Sequence, residues 1–208
     1  MNREITVWDK FIRLFHWSLV VLVITSYFSG EEEHWIHPYS GYAIVSLLFL
    51  RIVWGFVGSQ HAKFSDFIYS PKTILTYTVS VLKGQPKRYL GHNPLGGLMV
   101  LALLLTLLTV TFSGMKLYAV EEGKGPLAQN IGTPLVTQAY ADEDEDDEYE
   151  DDEKDEDEEP EEFWEEVHEA SVSFLLLLIA LHITGVIFAS VQHEESLIKA
   201  MITGKKRQ

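Results

Sequence analysis

The chain of 208 residues contains no cysteine, and that absence removes several chemistries at once. Disulfides, iron–sulfur clusters, thiolate zinc sites and covalent c-type haem attachment all require the thiol. Any metal chemistry therefore falls to histidine or carboxylate. Positive charge is also scarce, with 16 lysines and arginines against 31 acidic residues and a formal net charge of -15. Most of that imbalance comes from one tract between Asp142 and Glu162, and without it the chain is apolar and mildly basic. The first apolar run also lacks a cleavage site: SYFSGEEE offers no small-x-small pattern, so we expect the run to be a retained span and not a removed signal. No internal repeat is visible beyond the apolar spans.

What the sequence does have is four long apolar blocks. A hydrocarbon core of about 30 Å needs roughly 20 helical residues to cross it. Residues 11–29, 38–57, 94–115 and 170–191 meet that requirement. The third runs from Leu95 to Phe112 without a charge, and the fourth, SFLLLLIALHITGVIFASV, carries one ionisable interruption, His182. The expected fold is all-α, a transmembrane four-helix bundle occupying residues 1–208 as one domain. With four spans both termini share a side. That side, with the loop near 58–92, holds thirteen of the sixteen basic residues, against Lys116, Lys124 and Lys154 opposite. Cytoplasmic loops near spans carry such an excess, so both termini are expected in the cytoplasm and the acidic loop outside.

Between spans two and three, SPKTILTYTVSVLKG places Ser70 as an N-cap, Pro71 at the first helical position and Gly84 at the end, predicting a short helix at the cytoplasmic interface. The run DEDEDDEYEDDEKDEDEEPEE buries too little apolar surface to fold alone, and residues 142–162 are expected to form a disordered acidic insert.

Four of the eight histidines, His16, His37, His168 and His182, lie within or at the ends of predicted spans. An ionisable side chain at that depth is costly and marks function by default. One isolated histidine there is as well explained by an interhelical hydrogen bond. Four in register are not. His168 and His182 are 14 residues apart on the fourth span, within roughly 40° of one helix face and about 21 Å apart along its axis. His16, in the first turns of span one, falls at the depth of His182. His37, opening span two from the other side, falls at the depth of His168. Two facing imidazoles are the ligands of a low-spin haem iron, and bundle cores house such cofactors. Haem b needs no cysteine. Ser40, Gly41, Ser171 and Gly185 follow the proposed ligands and leave room for a porphyrin, although small residues also serve close helix packing. Arg13 and Arg51 are candidate partners for the inner haem's propionates, or snorkel to the headgroups.

At these residues the sequence resembles the bacterial cytochrome b-561 and nickel-hydrogenase b-type cytochrome family. The matching pieces are VWDKFIRLFHW, HPYSGYAIVSLLFLRIVWGFVGSQHAKFSDF, GHNPLGGLMVL and VHEASVSFLLLLIALHITGVIFASVQHEESLIKAMITGKKR, and they cover nearly the whole chain. The resemblance implies two haems b, one ligated by His16 and His182 and the other by His37 and His168. It also implies electron transfer in the bacterial inner membrane between the quinone pool and a redox partner such as a hydrogenase, another oxidoreductase or a c-type cytochrome. The acidic tract departs from the family pattern; it suits a basic partner steered by long-range attraction, or is simply a solvated tail. Membrane lipid is the other partner, and nucleic acid is not expected. The reading from a different class is a histidine-lined divalent-metal transporter, against which the tract's lack of regularly spaced turn glycines excludes an EF-hand. Of the remaining histidines, His92 is expected to be structural or to touch headgroups. His193, within about 20° of the His182 face, is a candidate for a propionate or quinol proton path. His34 and His61 are read as interfacial.

Overall fold

A computed structural model describes residues 4–30, 35–128 and 152–207. The order is β1 (Glu4–Thr6), α1 (Lys10–Phe28), α2 (Ile36–Val57), a 3-10 turn (Gln60–Ala62), α3 (Phe64–Phe67), α4 (Pro71–Leu82), α5 (Pro94–Glu122), α6 (Asp152–Gln192), α7 (Leu197–Thr203) and β2 (Lys205–Arg207). Four helices are long and apolar enough to cross a membrane: Lys10–Phe28, Ile36–Val57, Pro94–Glu122 and the Pro160–Gln192 part of α6. Along them Leu14, Val21, Phe28, Phe49, Phe56, Leu105 and Phe188 stay exposed, which suits hydrocarbon and not water.

The chain divides into two compact units. The first comprises Met1–Leu108 and Phe174–Gln208, and the second Thr109–Ser173. In the first unit α1 and α2 pack along each other. At the terminal end of these helices sits a small core of Val7, Trp8, Ile12, Ala62 and Ala200, with Ile5, Phe11, Trp54 and Met201 around it. Asp9 organises that end. Its side chain caps α1 by accepting from Ile12 N at 2.8 Å and also accepts from Trp54 Nε1 at 3.0 Å and from Ser59 Oγ. Burial alone would raise the Asp9 pKa, but the hydrogen bonds from Ser59, Ile12, Trp54 and Phe11 hold it below the usual carboxylate value.

The chain ends clasp each other, a feature the all-α expectation did not contain. β1 pairs antiparallel with β2, Ile5 opposite Lys206. Gly204, at φ +81°, turns α7 into β2, and its carbonyl accepts from Val7 N and Trp8 N at 2.8 and 3.1 Å. A Cβ there would stand 2.5 Å from Trp8 O, so only glycine fits both the left-handed backbone and the close approach. Arg13 donates from Nη1 to Ile202 O at 2.6 Å, and Arg88 bonds Glu195 and the Arg207 carbonyl, closing the clasp.

Ser70 caps α4 by accepting from Thr73 N, Pro71 opens it, and Gly84 ends it at φ +71°, as the sequence predicts. In the second unit α5 continues past the expected 115 to Glu122, and α6 is helical from Asp152. Of the acidic insert, residues 142–151 lie outside the described residues. Glutamate is a good helix former and acidic groups near an N-terminus favour the helix dipole, which accounts for the helical state from Asp152 onward.

Candidate haem-binding site

α1 carries His16 in its second turn, and α6 carries His182 in the part that belongs to the same unit. His16 Nδ1 is shielded from solvent and has no hydrogen-bond partner, while the edge of the Trp17 ring meets the His16 ring at 5.1 Å. One turn beyond His182, Gly185 is exposed, and a Cβ added there would meet nothing within 4 Å.

His37 opens α2. Its Nδ1 lies 2.9 Å from the Ser26 carbonyl near the end of α1 and 3.4 Å from Ser26 Oγ. The carbonyl can only accept, so Nδ1 carries the proton and Nε2 the lone pair. Gly30 stands against the ring, where an added Cβ would touch Cε1 and Nδ1 at 3.4 Å. At Gly41, one turn on, a Cβ would meet nothing within 4 Å. Ser40 Oγ turns back to the His37 carbonyl at 2.8 Å and is buried.

In the second unit His168 is held in the same manner. Its Nδ1 donates to the Val110 carbonyl at 3.1 Å and lies 3.2 Å from Ser113 Oγ, which itself donates to Val110 O. Gly114 makes this possible: a Cβ there would come within 2.9 Å of His168 Cε1 and 3.2 Å of Nδ1. Ser113 and Gly114 were not singled out from sequence. Their signal was the small pair interrupting the apolar run TVTFSGM, which there reads only as the end of a span.

These imidazoles fit a haem iron. Metal-bound histidine characteristically donates its second ring N–H to a carbonyl, and His37 and His168 do so, each in the tautomer that presents Nε2. Among the described residues no group of three or more histidines, aspartates and glutamates could hold a metal ion, whereas a haem asks only for two axial ligands.

The other expected residues are placed as follows. Arg13 is committed to Ile202 O and, through Nε, to Asp9 O at 3.3 Å. Arg51 is buried on α2, donating from Nη2 to Ala62 O at 3.1 Å. His61 pairs with Asp66 at 2.9 Å. His92, expected at headgroups or in a structural role, lies between the rings of Trp8 and Phe67 at 4.7 and 4.9 Å. His193 ends α6, its carbonyl accepting from Arg207, and His34 lies outside the described residues.

Membrane-length helices, with histidines whose Nδ1–H is held by backbone carbonyls, fit a membrane b-type cytochrome. The sequence profile of prokaryotic cytochrome b561 matches residues 7–204, and the chain belongs to that family. Haem b and membrane electron transport follow from this membership. Relatives named "Probable Ni/Fe-hydrogenase B-type cytochrome subunit" occur in Rhizobium leguminosarum bv. viciae (24% identical, 99% of this chain and 90% of the relative covered) and in Azotobacter vinelandii (23%, 95% and 86%). A third, in Azotobacter chroococcum, is 28% identical over 60% of this chain and 64% of the relative.

Proposed function

We propose that the chain holds two haems b, one between His16 and His182 and the other between His37 and His168, and carries electrons between the quinone pool and a Ni/Fe-hydrogenase. The observation that supports ligand roles for His37 and His168 is that each donates Nδ1–H to a backbone carbonyl, as metal-bound histidines do, and their pairing follows from the level positions of the two residues on their spans in the sequence. The shared depth of His16 and His182 on their spans and their place in one compact unit support the other pair. The names of the relatives support the hydrogenase. Each haem supplies a reversible one-electron couple, and the protein's part is to orient the imidazoles and keep their surroundings dry. The membrane is the bacterial inner membrane, with both termini cytoplasmic and the acidic loop periplasmic, on the thirteen-to-three division of basic residues. A second partner, a basic c-type cytochrome, is favoured by the tract at 142–162, whose charge would steer it.

Single replacements test the pairing. His182→Ala is expected to remove one haem and leave the other's low-spin spectrum, and His168→Ala to do the converse. Unchanged haem content in either variant contradicts the assignment.

A further inference from the structure

Three described side chains have a polar atom shielded from solvent and without a hydrogen-bond partner: His16 Nδ1, Arg51 Nη1 and His92 Nδ1. Arg51 and His92 lie against the same ring, that of Phe67, at 5.8 and 4.9 Å, and both belong to the compact unit that holds His16 and His182. The Arg51 residue is 3% exposed, its guanidinium lying over the rings of Phe64 and Phe67 at 5.1 and 5.8 Å. A second buried cation, Lys206 at 6% exposure, donates to Leu90 O at 2.9 Å and sits 5.8 Å from the Trp8 ring centre.

Buried charge in apolar walls calls for a counter-charge. The carboxylates nearby are committed elsewhere. Asp9 accepts from Ile12, Trp54 and Ser59, and favours the charged Arg51 without hydrogen bonding it. Asp66 is taken by His61, and Glu195 by Arg88 and the Arg207 amide, so that Glu195 favours the charged Lys206 without hydrogen bonding it and Arg51 is left without a paired carboxylate. Burial, then Arg51, Lys206, His61 and His182, push the His92 pKa down to about 3. At neutral pH His92 is therefore a neutral imidazole, able to donate one N–H, beside an arginine with an unused one.

We propose that Arg51 Nη1 and His92 Nδ1 together hold a carboxylate, and, resting on the reading that His16 and His182 ligate a haem, that this carboxylate is a propionate of that haem. A haem brings two carboxylates that need donors, and a guanidinium is the donor best shaped for one. Arg13, the other candidate, already spends its Nε and Nη1 on the clasp. Lys206 adds positive potential from the C-terminal strand, which couples the clasp to the haem edge.

The test uses the purified holoprotein with haem labelled at the propionate carboxyl carbons, read by reduced-minus-oxidised infrared difference spectra and by redox titration. The second haem serves as the internal reference. In the wild type a labelled, ionised carboxylate band is expected at neutral pH. Arg51→Gln should shift that band and lower the potential of the His16–His182 haem. His92→Asn should act in the same direction and less, Arg51→Lys should restore most of the shift, and the reference haem should not move. Two haems with bands and potentials indifferent to Arg51→Gln and His92→Asn would overturn the proposal and leave the ligand assignment standing. A protonated labelled propionate in the wild type overturns it without any variant. A potential that follows added inorganic phosphate while the labelled bands stay fixed assigns the donors to a free anion and overturns it too. Absence of haem at His16 and His182 instead overturns the underlying reading.

Discussion

Gly114 faces His168 with no atom to spare, and the consequence is measurable. Replacing it with alanine puts a methyl within 2.9 Å of the ring, which must then leave the Val110 carbonyl. Losing the carbonyl that orients a metal-bound histidine weakens metal binding by about 10- to 100-fold, so Gly114→Ala should reduce haem to about half the wild-type content per chain. The pyridine haemochrome assay reads this, and full haem content would show that the ring tolerates displacement. The four histidines were readable from sequence because ionisable groups inside apolar runs stand out. Gly114 and Ser113 were not, because small residues in a span fit packing equally well. For His92 the sequence left a structural and a headgroup role open, and packing between Trp8 and Phe67 favours the structural one.

At the scale of elements, Asp9 joins the start of α1 to Trp54 of α2 and to Ser59 beyond it. Asp9→Ala removes a helix cap and is expected to cost about 1–2 kcal/mol, read as an earlier thermal unfolding transition in detergent. The sign of its pH dependence follows from a folded pKa below the unfolded 3.8. Its stabilisation is fully present above 3.8 and is lost as pH falls through the folded value. The gap between wild type and Asp9→Asn should therefore stay constant from neutrality down to about pH 5 and narrow below about pH 4. A gap that widens in acid would contradict this. The first two spans, expected at 11–29 and 38–57, were legible closely because hydropathy marks their ends at Lys10–Phe28 and Ile36–Val57, whereas the fourth, expected from 170, begins at Pro160. α5 overran because LYAVEE is polar enough to end the apolar signal yet consists mostly of good helix formers. β1 and β2 were illegible, since three-residue strands exist only through the ladder each supplies to the other.

Across the whole molecule, charge is divided as sharply as hydropathy. The tract at 142–162 holds 18 of the 31 acidic residues against one lysine, which is more than the whole net negative charge, and contributes none of the proposed ligands. Its deletion should leave haem content unchanged, while the rate of reduction of a basic partner should lose its dependence on salt; loss of haem would assign the tract a structural part. The all-α architecture and four membrane-length helices were legible because burial in lipid forces long uninterrupted apolar runs. The terminal clasp was not, because it depends on contacts between residues about 200 apart in sequence. The central claim, two bis-histidine haems in one chain, is tested most directly by the reduced-minus-oxidised spectrum of the detergent-purified protein with haem counted per chain. The account predicts two haems b with sharp low-spin bands; a protein without haem, or with a single high-spin haem, would contradict it.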